Sequence, residues 1–232
     1  KGKKIQTLSS SQLSAYQLYI ISYQSNLDFT KSIVKKSFEL WSVQTVIPAL
    51  ISPKLEFKEA ESESEADITI LWAEGEHGDA YKFDGTGNQT NILAHTFYPT
   101  YQNVGTLNGD IHLDDAESWT GDGKSGGTAF SMVFVHEIGH SLGLGHSKRQ
   151  DAIMYPIYKK NSLESVVFDL DDKCALNWNY SKFSQEFIKI GKSIKIKNKL
   201  DSKKEIFRFL HFNTLNPATS GKIHNQIGGQ FI

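Results

Sequence analysis

Between Ser131 and Ser147 the chain reads SMVFVHEIGHSLGLGHS, with His136 and His140 four residues apart. On a helix that spacing projects both imidazoles from one face, where they can share one metal ion. Gly143 lets the chain leave the helix by a conformation other residues resist, and the return brings His146 to the same ion as a third nitrogen. Three neutral imidazoles leave one coordination position for water, the arrangement of a catalytic zinc rather than a closed structural one. Glu137, beside the first histidine, can bond that water and take its proton.

A second set lies upstream. His77 and Asp79 flank a glycine in HGD, and His95 and His112 follow, each in a segment that reads as a strand. Three imidazoles and one carboxylate complete a four-coordinate shell with no position for water, which is a structural zinc site. Six of the eight histidines fall between His77 and His146.

The elements that must position these groups are legible around them. Tyr16 to Ser22 (YQLYIIS) and Asp67 to Trp72 (DITILW) are rich in β-branched and aromatic residues and read as strands. Between them Asp28 can cap a helix running to about Val43, because Ile33, Val34, Phe38 and Trp41 recur at helical spacing and Pro48 and Pro53 lie beyond. Leu55 and Phe57 suggest a further strand, leading into EAESESEAD, a solvated acidic turn without a chemical role.

With 232 residues, 39% hydrophobic and 22% charged, the chain has a globular composition and is long enough to bury a core. A net charge of -1 provides no basic field for nucleic acid or an anionic membrane. That balance conceals an acidic region, residues 1–180 at -8, and a basic one, residues 181–232 at +7. The lone Cys174 cannot form an internal disulfide, no apolar run reaches the length of a membrane span, and the first residues show no apolar signal core.

Eight residues after His146, AIMYP presents Met154, and HExxHxxGxxH followed by such a methionine turn is the signature of the metzincin clan. Ser147 after the third histidine, YPIY at 155–158, the segments EHGDAYKFDG, ILAHTFYP and NGDIHLDDAESW, and the closing FDLDDKCALNWNY together resemble the matrix metalloproteinases, or matrixins, over about Leu13 to Tyr180.

The resemblance implies an α+β fold with a twisted, mainly parallel five-stranded sheet and three helices. It implies a zinc-dependent endopeptidase in which Glu137 is the general base and Met154 forms an apolar floor under the metal. It also implies calcium, with Asp84, the backbone of Gly85, Asp114 and Glu117 around one ion and Asp67 and Asp110 helping to hold another. An extended peptide would lie along the strand containing Ile92 to Thr96, with Ala94 among the substrate-binding residues. The side chain just beyond the cut would enter a pocket bounded by Met132, Pro156, Ile157 and Tyr158, favouring Leu, Ile or Met and rejecting acids.

Residues 1–12 are expected to be the end of a propeptide region, 13–180 the catalytic domain and 181–232 a basic tail that is too short for a hemopexin-like propeller and whose composition suits a disordered arm, a surface-binding segment or mistranslated intron alike. Protein substrates of the extracellular matrix, protein inhibitors, a monomeric state, and secretion are expected, the last supported by glycosylation sequons at Asn88 and Asn179. The alternative from another class is an inactive, metal-stabilised peptide-binding module. Intact Glu137 argues against it, because ligation needs the histidines and not that carboxylate.

Overall fold

The protein is represented by a computed structural model that describes residues 15–21, 27–44, 55–87, 91–102, 106–121, 126–180 and 227–231. Strand β1 (Ala15–Ile21) is followed by helix α1 (Leu27–Ser42), strands β2 (Glu56–Glu59), β3 (Ile68–Ala73), β4 (Ala94–Phe97) and β5 (Ile111–Asp114), and a two-residue parallel pair, β6 (Trp119–Thr120) with β7 (Thr128–Ala129). Helix α2 (Phe130–Ser141), helix α3 (Leu170–Tyr180) and strand β8 (Ile227–Phe231) complete the order.

The main sheet runs β2-β1-β3-β5-β4-β8. β1 pairs in parallel with β2 and β3, and β3 with β5, whereas β4 is antiparallel to both β5 and β8. β1 to β5 are the expected mainly parallel five strands. β8, from residues 227–231 of the tail, makes a sixth. The acidic turn contains a single 3₁₀ turn at Glu63–Glu65 with no buried residue, as a solvated charge run should.

Helix α1 buries the stripe Val34, Phe38 and Trp41. Phe38 meets Phe134 of α2 edge-on at 5.7 Å, and the Trp41 indole donates to the Val135 carbonyl at 2.8 Å. Every α2 residue except Met132 is buried, which orients the helix against both α1 and the sheet. Asp28 falls inside the first turn of α1 and not at its cap. The helix begins at Leu27, one residue before it.

Register decides which side of the sheet each site occupies. His95 lies directly opposite His112, while Ala94 pairs with Leu113 and Thr96 with Ile111. Because strand side chains alternate, His95 and His112 share one face and Ala94 and Thr96 the other, toward α2.

Candidate active site

His136 and His140 stand on adjacent turns of α2, both fully buried. The helix ends in paired bonds, Gly143 N–H to the His140 carbonyl at 2.8 Å and Leu144 N–H to the Gly139 carbonyl at 2.9 Å. This close requires a left-handed residue, and Gly143 adopts φ 87°. The reversal delivers His146, whose Nε2 lies 3.2 Å from that of His140, itself 3.1 Å from that of His136.

The tautomers follow from the second nitrogens. His136 Nδ1 bonds the Ile153 carbonyl and His140 Nδ1 the Leu144 carbonyl, both at 2.7 Å. A carbonyl only accepts, so each imidazole spends its one proton there and leaves Nε2 a bare lone pair. Burial keeps all three rings neutral. It pushes His136 well below its ordinary value, with His140 and His146 adding to the effect, takes His140 to about 3, and lowers His146. Lone pairs set against one another at this separation repel, and a cation among them replaces that repulsion with coordination. The donor set therefore fits a zinc ion.

Glu137 is fully buried on the same helix. Its Oε2 accepts from the Thr96 hydroxyl at 2.5 Å, and its Oε1 has no partner. Burial pushes its carboxyl up to about 8, with the Thr96 bond working in the opposite direction. A buried carboxylate oxygen with nothing to accept from is suited to receive a proton. Met154, 1% exposed, lies below: a Cβ added at Gly139 would come 2.1 Å from its sulfur, so the helix admits the methionine only because residue 139 is glycine.

Two residues here escaped the sequence reading. Thr96 could have been suspected only from its place two positions along the strand from Ala94. Asp172 is 1% exposed and accepts three amides, two from the methionine turn, Ile153 N–H at 2.9 Å and Met154 N–H at 3.1 Å, and one from just before α3, Asp169 N–H at 3.0 Å. The paired acids that open α3 were its available signal.

The second set also converges. Asp79 Oδ2 lies 3.1 Å from His77 Nε2, 3.0 Å from His95 Nε2 and 2.8 Å from His112 Nδ1. His77 Nδ1 bonds the Gly75 carbonyl at 2.8 Å, which leaves its buried Nε2 as an acceptor with no hydrogen-bond partner. Although burial opposes ionisation of Asp79, the His112 and His95 bonds hold it far below the usual carboxylate range. This tetrad fits a closed four-coordinate ion.

The expected calcium residues are partly gathered. Asp114 accepts from Gly85 N–H at 3.1 Å and from Ala116 N–H at 3.0 Å, and Asp84 accepts from Ile92 N–H at 2.9 Å. Burial raises Asp114, with Asp84 and Glu74 adding to it, and burial raises Glu117, with Asp114 and Asp84 adding to it. Glu117 Oε1 is buried without a partner. Mutually repelling carboxylates suit a hard cation. Asp110 instead accepts from Thr69 N–H at 2.7 Å, close to Asp67 in the chain. Among the described residues only the two histidine sets bring three or more His, Cys, Asp or Glu ligand atoms within 4.8 Å of one another.

Around the expected substrate pocket, Met132 and Pro156 are half-buried, Ile157 is exposed, and the Tyr158 hydroxyl accepts from Ala129 N–H at 2.8 Å, tying the loop after the methionine turn to the start of α2. Asn88 lies outside the described residues. The Asn179 amide nitrogen, which a glycan would take, donates to the Gly143 carbonyl at 3.2 Å, so this sequon is engaged in packing.

The matrixin family model matches residues 10–181. Matrix metalloproteinase-B of Caenorhabditis elegans is 46% identical over 185 residues, 74% of this chain and 35% of that protein. Matrilysin of Rattus norvegicus is 41% identical over 165 residues, 70% of this chain and 55% of the relative. Karilysin of Tannerella forsythia is 36% identical over 165 residues, 69% of this chain and 31% of the relative. The chain thus spans between about a third and about half of the length of these relatives. With a match over most of its length and its metal-competent histidines on the expected elements, the chain belongs to the matrixin family of metalloendopeptidases.

Proposed function

We propose that the chain is a zinc endopeptidase that cleaves extended peptide segments, with Glu137 as general base. The observation that carries this reading is the pairing of three converging neutral imidazoles with a buried glutamate whose Oε1 has no partner. His136, His140 and His146 would hold the zinc ion, which would supply a Lewis acid and a water acidified to a pKa of about 7. Glu137 Oε1 takes the proton from the attacking water and delivers it to the departing nitrogen, while Thr96 holds Oε2 still. No covalent bond to the protein forms.

The substrate adds as a strand to the outer edge of β4 beside Ala94, and the residue after the cut enters the pocket of Met132, Pro156 and Tyr158. His77, Asp79, His95 and His112 hold a structural zinc. Asp84, Gly85, Asp114 and Glu117 hold a calcium, and Asp67 and Asp110 contribute to another. Proteins of the extracellular matrix are the substrates, protein inhibitors use the same cleft, and the chain acts as a secreted monomer. Membership of the matrixin family supports the secreted setting, and among the described residues no helix is long and apolar enough to cross a membrane.

The test is Glu137→Ala. Zinc content by mass spectrometry stays at the wild-type level while hydrolysis of a quenched peptide falls by about 10² to 10⁴, the usual share of a general base. Normal turnover in the variant would remove Glu137 from the mechanism.

A further inference from the structure

The sheet edge proposed to receive substrate already carries a strand. Phe97 directs both backbone groups toward the β5 side, its N–H to the Asp110 carbonyl at 3.0 Å and its carbonyl to Gly109 N–H at 3.1 Å. In an antiparallel strand successive residues turn these groups to opposite sides, so the outward groups of β4 belong to Thr96 and Ala94. Those residues flank the site, because the Thr96 hydroxyl is bonded to Glu137.

β8 pairs with this outer edge. Ala94 lies opposite Phe231, His95 opposite Gln230 and Phe97 opposite Ile227. From His95 to Phe97 the register advances two residues on β4 and three on β8. The extra residue falls at Gly228–Gly229, where a bulge meets least steric resistance. β8 also lies beside α2, the helix that carries His136, Glu137 and His140.

One edge can hold one strand. We infer that the outer edge of β4 is a binding site for this chain's own segment Ile227–Phe231, which competes with peptide substrate for the same backbone groups. The inference rests on the endopeptidase reading for its consequence, though not for the pairing itself. An intramolecular strand seated nine-tenths of the time leaves one-tenth of molecules competent and raises the apparent KM about tenfold, with kcat unaffected.

Three measurements on the full chain and on a chain ended after Asn225 test it. In hydrogen exchange, the Ala94 and Thr96 amides are protected in the full chain and lose protection on truncation. A fluorescent peptide of sequence QIGGQFI binds the truncated chain and not the full one. With zinc loaded, truncation lowers KM for a quenched peptide about tenfold at constant kcat, and the full-length double variant Gly229→Pro/Gln230→Pro, which removes two adjacent strand amides, does the same. Equal exchange in the two chains, equal peptide binding to both, or an unchanged KM overturns the inference. If neither chain cleaves any peptide while the exchange and binding differences appear, strand capture stands and it is the endopeptidase reading that falls.

Discussion

Asp172 shows how much of this site depends on one carboxylate that never approaches the metal ligands directly. Its two oxygens accept three amides, two of them in the turn that carries Met154. Burial nevertheless outweighs those bonds and raises it from 3.8 to about 6, with Asp169 contributing by repulsion. The folded state therefore holds a proton that the unfolded chain releases between about pH 4 and 6. The stabilisation is fully present below about pH 4 and is lost as pH rises through about 6. Asp172→Asn removes this titration and leaves at least one amide facing a donor, at a cost of about 1–3 kcal/mol. In melting curves across pH 4–7 the variant should be less stable throughout, with the gap narrowing as pH rises. A pH-independent gap would show that Asp172 does not titrate in that window.

At the scale of elements, α2 works because of how it ends. Ideal helical geometry aligns His136 and His140, but His146 returns only if the chain reverses within the turn that Gly143 makes at φ 87°. A Cβ there would meet the Asn179 amide nitrogen at 3.4 Å, and a non-glycine residue in the left-handed region costs about 1–2 kcal/mol. Gly143→Ala should lower the melting temperature by about 2–8 °C for a domain of this size and reduce zinc affinity, since His146 hangs from the altered turn. Wild-type zinc affinity in that variant would mean the third ligand is positioned by something else. The β4–β5 pair makes the complementary case: its register sets His95 opposite His112, and a slip of one residue would send one imidazole to the other face.

For the whole molecule, the second histidine set joins the loop at His77 and Asp79 to β4 and β5. An ion bound only by the folded state stabilises it by about 2.7 kcal/mol when present at 100 times its Kd. His95→Ala should therefore lower the zinc-loaded melting temperature by about 5–10 °C, and the difference should shrink sharply in chelator. Equal melting of both proteins in zinc would refute a structural ion there. Calorimetry with and without the metal separates this loss from that of the packing of the ring itself.

The sequence by itself determined the chemistry of the two histidine sets, because ligand spacing on a helix and a required glycine are local properties that survive without knowledge of the fold. It also marked β1, β2 and β3 by their β-branched, aromatic and apolar residues, and α1 by apolar residues at helical spacing. Tertiary structure alone decided what surrounds those groups. Thr96 reaches Glu137 because β4 packs on α2, Asp172 reaches the methionine turn across an 18-residue separation, and the Asn179 sequon is spent on a helix end. Residues 227–231 carry no signal that would assign them to β4, since strand pairing depends on an open edge elsewhere in the chain, and such an edge exists only once the sheet has formed.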